Sequence, residues 1–252
     1  MQAGSFSFVG SRPGDRVIPT ANSLENAYTL ALDGSTYSGS VALIRGSEVI
    51  AERTIGSEDG AVSRAGRGER LMPAVAACLD EVRVDRSEIA QIVCGSGPGS
   101  FTSLRVAGSV SKGLAAGLGI PLYAVSSLLL SVTGAKPPAP NGEYLSVLDA
   151  MRGEFYSAHI VVTGDEPARQ TDAPRIISDE ELHELANMNS HLLVIGPGQP
   201  IDAHPHARGV AQLLESLLRS GPVDLAAWEP DYGRLAEAQV KWEAAHGRPL
   251  TA

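Results

Sequence analysis

The sequence predicts an α/β chain in two lobes, the second reduced relative to the first, and three observations carry that expectation. Short apolar runs rich in β-branched residues alternate with helical periodicities through residues 27–132, the pattern of a sheet with helices packed on it. Residues 133–142 (TGAKPPAPNG) are crowded with proline and small side chains, which marks a linker. Beyond it the opening pattern restarts. A strand ending in aspartate, a turn and a second strand occur first from residue 27 and again from residue 143, so residues 143–252 read as a second lobe built by internal duplication.

Residues 1–26 mix Gly, Ser, Pro, Asn and Arg without an apolar period and without the charged-then-apolar order of a secretion signal. They read as a flexible extension, or as the product of a start codon chosen too far upstream. Strands at 27–33, 39–44 and 48–55 form a meander, the last two joined by a tight turn at Arg45-Gly46-Ser47. Asp33 closes the first strand and is followed by Gly34-Ser35-Thr36. Asp33 and Thr36 are either ligands for a phosphate or metal or short polar side chains that hydrogen-bond their own turn.

Residues 69–82 place Leu71, Met72, Val75, Ala76, Leu79 and Val82 on one helical stripe. A helical turn and a central strand follow over 87–95. Gly95-Ser96-Gly97-Pro98-Gly99 is a shaped turn, because glycine forfeits entropy inside regular elements and proline lacks a backbone donor. Residues 104–118 are apolar at helical spacing, with Ser100 or Thr102 as cap, and 120–125 add a strand. In the second lobe the pattern places strands at 143–149, 154–162 and 191–195 and helices at 179–186 and 207–219. A final helix at 235–245 is expected to pack back toward the first lobe.

Composition excludes several function classes. A net charge of −9 does not suit a chain that grips a nucleic-acid backbone by itself, which requires clustered Lys and Arg. No run of about 18 apolar residues exists for a membrane-spanning helix. Cys78 and Cys94 lie in apolar surroundings and read as reduced thiols in a cytoplasmic protein. There is no G-x-S-x-G nucleophile motif. None of His159, His183, His191, His204, His206 and His246 has a metal-binding spacing, and His204 and His206 read as a solvated loop, so no metal is expected.

The glycine turn lacks a P-loop lysine, the next lysine being Lys112, and glycines at 95, 97 and 99 do not fit a dinucleotide fingerprint. Gly97, Pro98 and Gly99 are therefore read as a structural turn that packs strand against helix, with an anion cradle at the helix N-terminus as the other option. Asp149, with Arg152 and Glu154, forms either a site in a cleft between the lobes or an ion-paired turn.

The string GPGSFTSLR at 97–105 resembles the GPGSFTGLR signature of the TsaB family. The likeness continues through LALDGST (30–36), LMP (71–73), DAMRGE (149–154) and PDYGR (230–234), and covers about residues 27–242. The resemblance implies a two-lobed actin/Hsp70/sugar-kinase-like (ASKHA) fold, in which Asp33, Thr36, Asp149 and Arg152 fall at weak candidate positions for a cofactor. It also implies a non-catalytic subunit, with no cofactor and no metal, of the machinery that makes threonylcarbamoyladenosine in tRNA.

Such a subunit docks on TsaD, is joined by TsaE in an ATP-dependent way, and meets tRNA only through the complex. The expected docking face, also a homodimer face when TsaD is absent, maps to Leu71, Met72, Val75, Leu79, Leu104 and Val110. Three positions depart from the family pattern: Ser103 stands for a glycine, Gly34 for a threonine, and Arg67-Gly68 for His-Ser. The rival functions are an ATP-dependent small-molecule kinase or ATPase of the same fold, and a metallopeptidase.

Overall fold

A computed structural model describes residues 27–56, 70–234 and 246. The expectations for residues 1–26, for Arg67-Gly68 and for a helix at 235–245 lie outside the described residues.

The first sheet opens with the meander β1 (Tyr28–Asp33), β2 (Gly39–Arg45) and β3 (Glu48–Ile55). β4 (Ile89–Gly95) pairs parallel with β1, and β5 (Leu122–Val125) pairs parallel with β4, giving the order β3-β2-β1-β4-β5. β1, β2 and β4 are nearly continuous apolar runs because both faces of this sheet are covered. Helices α1 (Leu71–Val82) and α2 (Phe101–Leu118) cover one face, where Leu71, Val75 and Cys78 pack with Leu30, Leu43 and Ile92.

The short helix α3 (Ser127–Thr133) follows β5 and had no counterpart in the sequence reading. It is seven residues long and buried on nearly every side, Ser127, Ser131 and Thr133 included, so no amphipathic period betrays it. It lies between the lobes: Leu130 packs with Val93 and Tyr123, Val132 with Tyr144 and Ile160, and Leu128 with Leu148 and Tyr156. Ser146 Oγ donates to the Leu128 carbonyl at 2.8 Å, tying this helix to the second sheet.

The second sheet repeats the plan of the first. β6 (Gly142–Asp149) and β7 (Glu154–Val162) form an antiparallel pair, β8 (Arg169–Gln170) and β9 (Arg175–Ser178) pair with β7, and α4 (Asp179–Met188) follows. β10 (Leu192–Gly196) then pairs parallel with β6, as β4 does with β1, and β11 (Ile201–Asp202) extends it. A 3-10 turn at Ala207–Gly209 leads into α5 (Val210–Ser220).

The placement of α5 corrects the division of the chain. Read by position, it belonged with residues 143–252. Its buried Val210, Leu213 and Leu214 instead pack on Ala31, Ala42, Val93 and Val125, the open face of the first sheet. The second lobe is thus reduced in helices, not in strands. The segment after α5 also returns to the first lobe, where Val223 N donates to the Leu122 carbonyl and Lys112 Nζ to the Trp228 carbonyl.

The two crossings between lobes meet beside β3. Glu52 pairs with Lys136 of the linker and, at 2.7 Å, with Arg208 Nε, whose Nη1 donates to the Gly134 carbonyl. Burial by itself would raise the Glu52 pKa, but the bonds from Lys136 and Arg208 hold it below the usual value.

His206 is buried here and not in a solvated loop. Its Nδ1 accepts from Arg208 N at 3.1 Å, which leaves Nε2–H to donate to Thr54 Oγ1 at 3.2 Å. Burial, and then Arg208, push its pKa down to about 4 from 6.5. Between those values the unfolded chain binds the proton and the folded chain does not, so stability is lost as pH falls from 6.5 toward 4. The expected loss from this residue is about 3 kcal/mol. Urea unfolding of wild type and His206→Asn across that window checks it, and parallel stability curves would refute it.

Candidate functional site: a cleft between the lobes

A cleft of about 1000 Å³ opens between the two sheets. Its first-lobe wall is the β1–β2 connection and the start of α2; its second-lobe wall is the β6–β7 hairpin. Four of the six exposed large apolar side chains among the described residues, Tyr37, Phe101, Met151 and Ile176, lie on it.

The glycine turn sets the first-lobe wall. Gly97 and Gly99 have φ of +93° and +156°, and a Cβ at either would sit 2.2 Å from the Asp231 carbonyl or 2.1 Å from that of Ser35. These contacts leave room only for glycine. Ser100 occupies the N-cap position of α2 without a side-chain cap bond, its hydroxyl donating instead to Ser103 Oγ at 3.2 Å.

Asp33, the first candidate ligand, does not line this cleft. It is fully buried: Oδ1 accepts from Ser35 N and Oγ at 3.0 and 2.7 Å, and Oδ2 accepts from Ser127 Oγ at 2.6 Å. Ser127 Oγ in turn accepts from Gly97 N at 3.1 Å. The carboxylate therefore pins α3 and the glycine turn from beneath. Burial raises its pKa against the lowering effect of the Ser127 and Ser35 bonds.

Thr36, Asp149 and Arg152 do meet in the cleft. Thr36 spends its hydroxyl on Ser38, donating to the carbonyl at 3.1 Å and accepting from the amide at 3.2 Å. Asp149 Oδ1 accepts from Met151 N at 2.7 Å, which shapes a hairpin whose Met151 and Arg152 both have positive φ. This cleft also holds residues that sequence reasoning did not single out for a site: Phe101, Tyr156, His204 and Tyr232. They come from four distant stretches, and no local spacing could have assembled them. Among the described residues no group of three or more His, Cys, Asp and Glu is arranged to hold a metal ion, and no helix is long and apolar enough to cross a membrane.

A family model described as TsaD, tRNA N6-adenosine threonylcarbamoyltransferase, matches residues 62–198, more than half of the chain. The tRNA threonylcarbamoyladenosine biosynthesis protein TsaB of Bacillus subtilis is 26% identical over 84% of this chain and 96% of its own. The chain belongs to the TsaB (YeaZ) family. TsaB of Escherichia coli K12 is likewise 26% identical, over 67% of this chain and 71% of its own. The solved structure of YeaZ from Pseudomonas aeruginosa superposes with a TM-score of 0.68 at 26% identity, covering 82% of this chain and 99% of that one. The two-lobed ASKHA-like architecture follows from these matches together with the duplicated sheets.

Two departures from the TsaB pattern meet in space. A Cβ at Gly34 would stand 2.8 Å from the Ser103 carbonyl oxygen and 2.8 Å from Ala107 Cβ. Position 34 thus packs against the backbone of position 103, where the β1–β2 connection meets the first turn of α2.

The docking face expected of a TsaB chain needs correction. Leu71, Val75 and Leu104 are buried in the first lobe at 4%, 3% and 0% exposure, because any helix lying on a sheet must turn its largest apolar stripe inward. Met72 is exposed, while Leu79 and Val110 are half-buried. Cys78 and Cys94 are free and buried, with burial pushing their thiols up to about 11 and about 12.

Proposed function

We propose that this chain is a non-catalytic subunit of tRNA threonylcarbamoyladenosine biosynthesis in the cytoplasm. It docks on TsaD, is joined by TsaE, and reaches tRNA only within that assembly. The observation that carries the reading is the state of Asp33. A carboxylate placed to hold phosphate or metal is turned inward and spent on Ser35 and Ser127. Support also comes from the relatives' names, and from a net charge of −9, which suits a chain whose tRNA contact is made by a partner.

The docking surface in this reading is the outer side of α1 and α2. Met72, Pro73 and Ala76 are exposed there, beside the half-buried Leu79, Val106 and Val110. Covering the large side chains of this face, Met72 above all, is worth up to about 1.5–3 kcal/mol each, within a face of roughly 800 Å² per partner. A second copy of the chain would use the same face when TsaD is absent.

Substituting Val75 would break the core, so the informative variant is Met72→Glu with Ala76→Arg. Its binding to TsaD should weaken at least ~10-fold in titration calorimetry, with the thermal midpoint unchanged, since about 1.4 kcal/mol is tenfold in affinity. Unchanged affinity would remove this surface from consideration. The aromatic rim of the cleft favours a second reading, a small-molecule kinase or ATPase. Nucleotide turnover by the isolated chain would establish that reading and overturn the first.

A further inference from the structure

Both lobe crossings lie at one end of α3, where Gly134 and His206 meet Leu130. A third connection lies at the other end, beside the glycine turn, and it is made by the last residues before 235. Asp231 N donates to the Ser96 carbonyl at 2.7 Å, and the Tyr232 ring packs on Phe101 at 4.7 Å between centroids. These contacts hold the segment to the first lobe. From the second lobe, Tyr156 Oη donates to the Tyr232 carbonyl at 3.1 Å, and Glu154 forms an ion pair with Arg234. Gly233 fits between the lobes: its φ is +68°, and a Cβ there would lie 2.4 Å from Tyr156 Cε1 and 2.9 Å from Pro98 Cβ.

We propose that residues 231–234 are an interlobe strap that fixes the opening of the cleft. α3 is seven residues long, about 10 Å, so the strap stands roughly that far from the crossings. At this end α3 is seated between the lobes, Ser127 on Asp33 and Leu128 on Ser146, and the strap adds a direct tie across the cleft mouth that resists hinge opening. Tyr232, Gly233 and Arg234 also line the cleft, so the tie doubles as its wall. The lobes then present one rigid shape and do not cycle between open and closed states.

Spin labels on Glu48→Cys in the first lobe and Glu184→Cys in the second report the interlobe distance. Both sites are exposed, whereas the native thiols are buried and stay unlabelled. The full-length chain should give one narrow distance distribution. Gly233→Val, which evicts the strap, should broaden it, as should Arg234→Glu. Adding Glu154→Arg to Arg234→Glu restores the ion pair in reverse and should restore the narrow distribution. If Gly233→Val does not fold, the charge reversal and its rescue decide alone. A broad distribution in the unmodified chain, or single variants indistinguishable from it, would overturn the proposal.

Discussion

Asp33→Ala is expected to destabilise the chain by about 3 kcal/mol or more, at about 1–3 kcal/mol for each buried donor left without its acceptor. The substitution leaves the Ser35 amide, the Ser35 hydroxyl and the Ser127 hydroxyl without their acceptor in a dry interior. It also frees Ser127 from the orientation in which it accepts from Gly97, so the glycine turn loosens along with α3.

Asp33→Asn should cost less, because its carbonyl still accepts from Ser35 and it brings no charge to bury. Its disadvantage should also depend on pH in a defined direction. Burial raises the folded-state pKa of Asp33 above 3.8, so its carboxyl favours the folded state most at low pH, and that contribution fades as pH rises through the folded value. The gap between wild type and Asp33→Asn should therefore narrow from pH 4 toward pH 7 in urea unfolding. An Ala variant as stable as wild type would show that the carboxylate has no structural role.

Gly95→Ala carries the second large effect, about 3 kcal/mol or more of destabilisation by overpacking. The added methyl would stand 1.9 Å from Asp33 Oδ2 and 3.0 Å from Ser127 Oγ. Neither group can yield, since each is held by hydrogen bonds to the other and to Ser35 or Gly97. The same substitution at Gly113, in the interior of α2, meets nothing within 4 Å. There it should stabilise the chain by about 0.5–1 kcal/mol, the helix cost of glycine relative to alanine. Urea midpoints of the two variants should thus move in opposite directions. A Gly95→Ala midpoint equal to wild type would mean that the packing beneath the turn is loose.

These effects show what was and was not legible in the chain. The strands at β1–β3 and β6–β7 were readable because alternation, apolar runs and turn residues are local properties. The hydrogen-bonded fate of Asp33 was readable only as one of two alternatives. Ser35 is two residues away, but Ser127, which decides where the carboxylate points, is 94 residues away. The apolar stripe on α1 was equally visible, yet periodicity does not say which residues of a stripe the sheet takes. Leu71 and Val75 went inward and Met72 stayed out.

Short-range physics, expressed in spacing, turn chemistry and the repeated strand–aspartate–hairpin pattern, determined the α/β class and the duplication from the sequence alone, and matched strings such as GPGSFTSLR carried the family likeness. Only the tertiary structure decided that α5 closes the first lobe, that α3 lies between the lobes, and that the tail at 231–234 joins them. Those choices depend on which distant surfaces exclude water together, and such pairings leave no period in the chain that makes them.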